Sequence, residues 1–276
     1  MILPRMVRTT TERHASVETL GRTSARFGLY ATLILPMAFG LVFLRQLLEF
    51  RDPFVPWTED AHLLLTGTEW GRTYIVGAGL ALLAPVTFSF VRGYRRFGWI
   101  PASLIVLALG AFPALTGHAN AGDGWLRAST LIADVLHVWA AGAWLGGLAG
   151  ILFLDRTLRT GEKRGSRLLP SLVPAFSPVA IGGVATLVIT GLFASWVHIP
   201  QLSALYTEPY GRALLLKLIG VGGVLALGWL NWRRLTPRLV QASGPDALFR
   251  AAAFELAVAQ LVLLVTAVLV RTPPVM

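Results

Sequence analysis

Asp134 and His137 stand one helical turn apart inside a largely apolar run, LRASTLIADVLHVWAAGAWLGGLAGILFL, that covers 126–154. Residues three apart share a helix face, and Ala141 and Trp144 continue that face. The other side carries Gly142, Gly146 and Gly147, where a neighbouring backbone can come close. Imidazole and carboxylate together are metal-ligating chemistry. An ionisable pair inside hydrocarbon costs several kcal/mol unless it is paired or hydrated, so its presence marks a functional site by default.

The composition says what surrounds this run. The chain has 276 residues, 55% hydrophobic and 14% charged, where a soluble domain carries about 25% charged residues. Long apolar runs make it an integral membrane protein. Without cysteine there are no disulfides, zinc-thiolate sites or iron–sulfur clusters. Four methionines are too few for a soft-metal path built on thioethers. The net charge of +10 does not point to nucleic acid, because the positive residues sit in short loops between apolar runs.

Seven spans follow from the apolar runs: 27–48, 73–91, 99–116, 126–154, 174–197, 212–232 and 251–270. The expected fold is all-α, a polytopic transmembrane helical bundle. Residues 1–26 read as a basic cytoplasmic tail, disordered or lying on the surface, and 27–276 as a single transmembrane domain. The tail lacks the apolar core of a cleavable signal peptide, and His14 in it has no assigned role. Pro36 is placed to kink the first span. Residues 49–72 read as a loop rich in acids and aromatics. Most of the 24 lysines and arginines fall in the tail and in the loops after spans two, four and six. That puts the N-terminus in the cytoplasm and the C-terminus on the outer side. The outer loops collect the acids Glu49, Asp52, Glu59, Asp60, Glu69, Asp123 and Glu208.

A short echo supports the layout. TEWGRTY begins the second span and TEPYGRALLLK the sixth, both after an outer loop. Two readings stand: an internal repeat of the kind many transporters contain, or a shared device in which Gly turns the chain, an aromatic ring sits at the interface and Arg snorkels.

The topology sorts the histidines. His62, His118 and His198 fall at or near the outer face. His137 lies inside the membrane, about 10–16 Å below it at 1.5 Å per residue. Imidazoles with nearby carboxylates suit a borderline or hard divalent metal such as Cu(II), and imidazole alone can also hold Cu(I). Each has a plainer alternative. His118 after Gly117 reads equally as a helix cap, His198 before Pro200 as an interface residue, and His62 as a loop side chain. Asp134 reads as orienting the His137 ring, as neutralising Lys217, which enters from the same side to a similar depth, or as doing both. Glu255 reads as an inner gate, a proton site or a rim carboxylate meeting loop arginines.

The motifs DVLHVWAAGAWLGGL (134–148), TGHAN (116–120), TEPYGRALLLKL (207–218) and LVRTPP (269–274), with Glu255 upstream of the last, resemble the copper resistance protein D family. The resemblance covers about 67–276. The family's Gly-His, Asp-x-x-His, Trp-Leu-Gly-Gly and Tyr-Gly-Arg with Lys fall here on Gly117-His118, Asp134 with His137, Trp144 to Gly147, and Tyr210 to Arg212 with Lys217. Against the family pattern, the chain is expected to start at the second family span and to carry no fused carrier domain. The resemblance implies a multi-pass protein of the bacterial inner membrane that takes copper from the periplasm towards the cytoplasm, with a separate periplasmic carrier of the CopC type as partner. It implies copper capture by His118, with His198 or His62 assisting, and passage to His137 held by Asp134. Trp144, Lys217, Tyr210, Arg212 and Glu255 are the expected supporting residues. No phosphate-binding Gly-Lys loop or nucleophile constellation is present, so an enzyme is not expected. One alternative is a non-transporting structural or accessory subunit packed with other membrane subunits. A second is a membrane haem protein using His137 and His118 as axial ligands.

Overall fold

The computed structural model describes residues 10–92, 96–117, 124–160, 169–199, 201, 203–235 and 244–269. All regular elements among them are helical. This is what a bilayer demands, since a helix satisfies its own backbone hydrogen bonds. Among the described residues seven stretches are long and apolar enough to cross: Glu18–Phe50, Glu69–Val91, Trp99–Thr116, Gly124–Arg159, Leu172–Val197, Pro209–Leu230 and Asp246–Ala267. The protein is a multi-pass helical membrane bundle, as the composition implies.

The described helices form two compact units, 1–112 and 113–276. In the first, α1 (Thr10–Leu33) runs into α2 (Leu35–Phe50), with Pro36 in the opening turn of α2. The basic residues expected to form a tail are therefore helical from Thr10 onward. The segment expected to be a loop contains α3 (Trp57–Gly67). Pro56 precedes this helix and Glu59 and Asp60 lie in its first turn, where carboxylates favour the positive end of the helix dipole. Asp60 is buried, accepts from the Asp52 backbone N–H at 3.2 Å and faces Arg51 at 3.5 Å.

α4 (Glu69–Arg92) packs on α1, where Gly28 leaves no room for more than a hydrogen beside the Phe88 ring. Ala25, Phe88, Val91 and Ala102 form the core there, Ala102 coming from α5 (Trp99–Thr116). Tyr74 donates its hydroxyl to the Phe39 carbonyl at 2.9 Å, and the ring of Phe39 lies against both Tyr74 and Phe112.

The second unit contains α6 (Gly124–Ala141), a five-residue π turn (Gly142–Gly146) and α7 (Gly147–Thr160), which together make the fourth span. α8 (Leu169–His198), the short α9 (Ala204–Thr207), α10 (Pro209–Leu230), a second π turn (Asn231–Leu235) and α11 (Gly244–Leu269) follow. Trp144, Val224 and Ala259 are the buried centre of this unit, with Phe176, Ala180 and Val184 against them. Gly147 meets the Phe176 ring, and a Cβ on Gly183 would stand 3.2 Å from the Ala140 carbonyl oxygen. The small residues thus bring α8 close to α6, as expected where lipid offers no hydrophobic drive and packing decides.

The echoed motifs prove to be one helix corner built twice. Thr68 and Glu208 are both extended, at φ −115°, ψ 154° and φ −97°, ψ 145°. Three residues later, Gly71 lies against the Leu64 carbonyl and Gly211 against the Ala204 carbonyl, each seven residues back. A Cβ would sit 2.1 Å and 2.0 Å from those oxygens. Glycine is required at both positions because the backbones touch.

Candidate functional site

Asp134 and His137 lie on consecutive turns of one face of α6, both partly buried. α8 supplies the group that holds the imidazole. His137 Nδ1 is 2.8 Å from Thr190 Oγ1, and the Thr190 side chain is buried. The same hydroxyl lies 2.7 Å from the Thr186 carbonyl oxygen of its own helix. The Cε1 edge of the ring faces Gly191, 3.9 Å from where a Cβ would stand. α10 brings Lys217 within Coulombic reach of both Asp134 and His137. Lys217 is an electrostatic counterpart of Asp134. The ring's hydrogen-bond partner is the Thr190 hydroxyl.

Trp144 sits in the π turn two helical turns beyond His137 and is buried against Val224 and Ala259. π turns recur at functional sites because they shift the register of a helix face by one residue. Here the wide turn aims the indole into the unit's centre. Tyr210 and Arg212 lie in the first turn of α10; Tyr210 is partly buried and Arg212 is exposed.

Glu255 is buried in α11 and accepts a 2.9 Å hydrogen bond at Oε2 from the Asn231 side-chain amide, in the second π turn. Gly228 makes room for it: a Cβ there would stand 3.0 Å from Glu255 Oε1.

The remaining expected ligands are placed differently. His62 is an exposed residue of α3, with Nδ1 3.5 Å from Thr66 Oγ1. His198 ends α8, and its side chain lies outside the described residues. His118 lies outside them altogether, as does any haem arrangement that depends on it. Among the described residues no three of His, Asp and Glu come together as a metal-holding group.

Thr190, Asn231 and one ion network were not singled out from the sequence. In that network Arg159 Nε lies 3.1 Å from Oδ2 of Asp155, which is 1% exposed, and Arg159 Nη1 pairs with Asp246 Oδ1. The Arg159 guanidinium also lies over the Phe249 ring at 5.4 Å, so it joins α7 to α11. A carboxylate just inside the end of a span was the available signal for Asp155.

Residues 170–269 match the family model described as copper resistance protein D; that stretch holds Thr190, Lys217, Asn231 and Glu255. The chain is 27% identical over 247 residues to "Copper resistance protein D" of Pseudomonas syringae pv. tomato, covering 85% of this chain and 79% of that protein. It is 30% identical over 211 residues to "Copper transport protein CutJ" of Bacillus subtilis (strain 168), covering 75% of this chain and 37% of that longer protein. No solved structure matches the chain. With the family model over its C-terminal spans and both relatives along most of its length, the chain is similar to the copper resistance protein D family.

Proposed function

We propose that the protein carries copper across the bacterial inner membrane from the periplasmic side, using His137 as an intramembrane ligand. It acts as a transporter and not as an enzyme, and copper is its substrate. A single observation carries this reading: an imidazole well inside a membrane span, gripped by a buried hydroxyl from a second helix, with a carboxylate and an ammonium within electrostatic reach. Such a group is costly in hydrocarbon and is kept for function. The names of the two relatives, one for copper resistance and one for copper transport, point to the same metal.

The N-terminus is cytoplasmic in this reading, so the ends of the spans next to His118 and His198 face the periplasm. Copper is captured at that rim, helped by His62 where it comes within reach, and handed to His137. The outer carboxylates raise the local cation concentration. A separate CopC-type carrier delivers the metal. Asp134 balances Lys217, so the site does not hold an unpaired ammonium beside an incoming cation.

The test is copper uptake by cells or proteoliposomes containing wild-type protein or His137→Ala at matched membrane abundance. Uptake should fall about tenfold or more, as ligand-shell changes typically do. Unchanged uptake would remove His137 from the path. An absorption spectrum of the same samples separates haem: a Soret band lost in His137→Ala would make the residue an axial ligand instead.

A further inference from the structure

We infer that Thr190 is the positioning residue of this site, holding neutral His137 with its proton on Nδ1 and so presenting Nε2, with its lone pair, as the ligand atom. The inference rests on the copper reading for its function, but its structural content stands on hydrogen-bond accounting. A threonine hydroxyl has one proton to donate and lone pairs to accept with. Thr190 Oγ1 has two close neighbours, the Thr186 carbonyl oxygen at 2.7 Å and His137 Nδ1 at 2.8 Å. The carbonyl can only accept. Were the hydroxyl to donate to the ring, two oxygens would face each other at 2.7 Å with no proton between them, which is repulsive. The hydroxyl proton therefore goes to Thr186, with Leu187 O at 3.3 Å as a weaker second acceptor. The proton between Thr190 and His137 must then come from Nδ1.

Three further observations fit. Thr190 is 7% exposed, so water does not compete for the ring. The Cε1 edge faces Gly191, 3.9 Å from where a Cβ would stand, so the Nδ1–Cε1 side of the ring is turned towards α8. Among the described residues, no hydrogen bond engages Nε2. A metal-ligating imidazole needs its other nitrogen fixed by an outer acceptor, and here a hydroxyl from the neighbouring helix fills the place a carboxylate takes elsewhere. Because Thr190 belongs to α8 and His137 to α6, the ligand atom is offered only while the two helices are in this register.

The experiment is nitrogen NMR of 15N-histidine-labelled protein in nanodiscs, with copper uptake measured on the same variants. The signal lost in His137→Ala identifies the residue. Wild type should give an N–H-type shift at His137 Nδ1 and a bare-nitrogen shift at Nε2. Thr190→Val, equal in shape, should move the proton towards Nε2 and cut uptake about 10–100-fold. Thr190→Ser should restore both. A wild-type His137 with its proton on Nε2, or on both nitrogens, overturns the inference without any variant having to fold. So does a Thr190→Val protein with the wild-type nitrogen pattern. If the pattern follows Thr190 while uptake ignores both Thr190→Val and His137→Ala, the copper reading fails and the Thr190 assignment stands. If His137→Ala abolishes uptake and Thr190→Val changes neither readout, the assignment fails alone.

Discussion

Asn231 donates its side-chain amide to Glu255 Oε2 at 2.9 Å, tying the π turn that follows α10 to the middle of α11. The bond brings a polar group to a carboxylate buried among membrane helices, where Gly228 has yielded the space. A hydrogen bond to a charged group is worth about 1.5–3 kcal/mol. Asn231→Ala should therefore destabilise the protein by about that much, read as a lower apparent unfolding temperature in detergent. Asn231→Asp, which places two carboxyl groups face to face, should be worse than alanine. Equal stability of wild type and Asn231→Ala would show that the bond contributes nothing.

Arg159 answers two carboxylates at once, and Asp155 is the buried one. Removing the cation breaks the buried Arg159–Asp155 pair, a loss of about 3–5 kcal/mol. Arg159→Met should sharply lower the amount of folded protein, and Asp246→Asn, at the more exposed partner, should cost much less. The double variant Asp155→Asn with Arg159→Met should recover part of the loss. A strictly additive double variant would mean that the pair is not coupled.

Gly71 and Gly211 tolerate no side chain, because a Cβ at either would overlap a carbonyl oxygen. Gly71→Ala and Gly211→Ala should each sharply lower the amount of folded protein recovered from the membrane, read by its abundance after detergent extraction. Gly79 and Gly222 have nothing within 4 Å of the corresponding point. Alanine there should be neutral or should stabilise, by up to about 1 kcal/mol from helix propensity. Tolerance at Gly71 would contradict the corner geometry.

Lys217 lies inside a membrane span within electrostatic reach of Asp134. Asp134→Asn should lower protein abundance, since a lone ammonium in hydrocarbon costs about 3 kcal/mol on insertion scales. Asp134→Asn with Lys217→Met should restore abundance. If Asp134 also serves copper, uptake per molecule should stay low in that double variant. Full uptake there would confine the pair to a structural role.

The seven spans could be read in the chain because they are local facts: each apolar segment must satisfy its own backbone within itself, so length and composition suffice. Trp99–Thr116 falls where the apolar run ends on both sides. Asp134 and His137 were legible for the same reason, as charges in the wrong solvent. α3 was missed although Pro56, Glu59 and Asp60 spell a helix start; eleven residues with mixed polarity do not stand out beside neighbouring membrane spans. The Gly-Arg echo was visible, but its cause, two backbones in contact seven residues apart, appears in no spacing rule. Thr190 lies fifty-three residues from His137, in a span where a threonine commonly spends its hydroxyl on its own helix. That it also receives the imidazole depends on how closely α8 approaches α6, which is set by Gly183 against Ala140 and by the packing around Trp144. Asn231 with Glu255 and Arg159 with Asp246 are likewise pairs between helices. Composition along the chain determines which segments enter the membrane, because solvation acts on each residue separately. Which side chains then meet is decided by the packing of helix on helix, because a hydrogen bond needs both partners within about 3 Å.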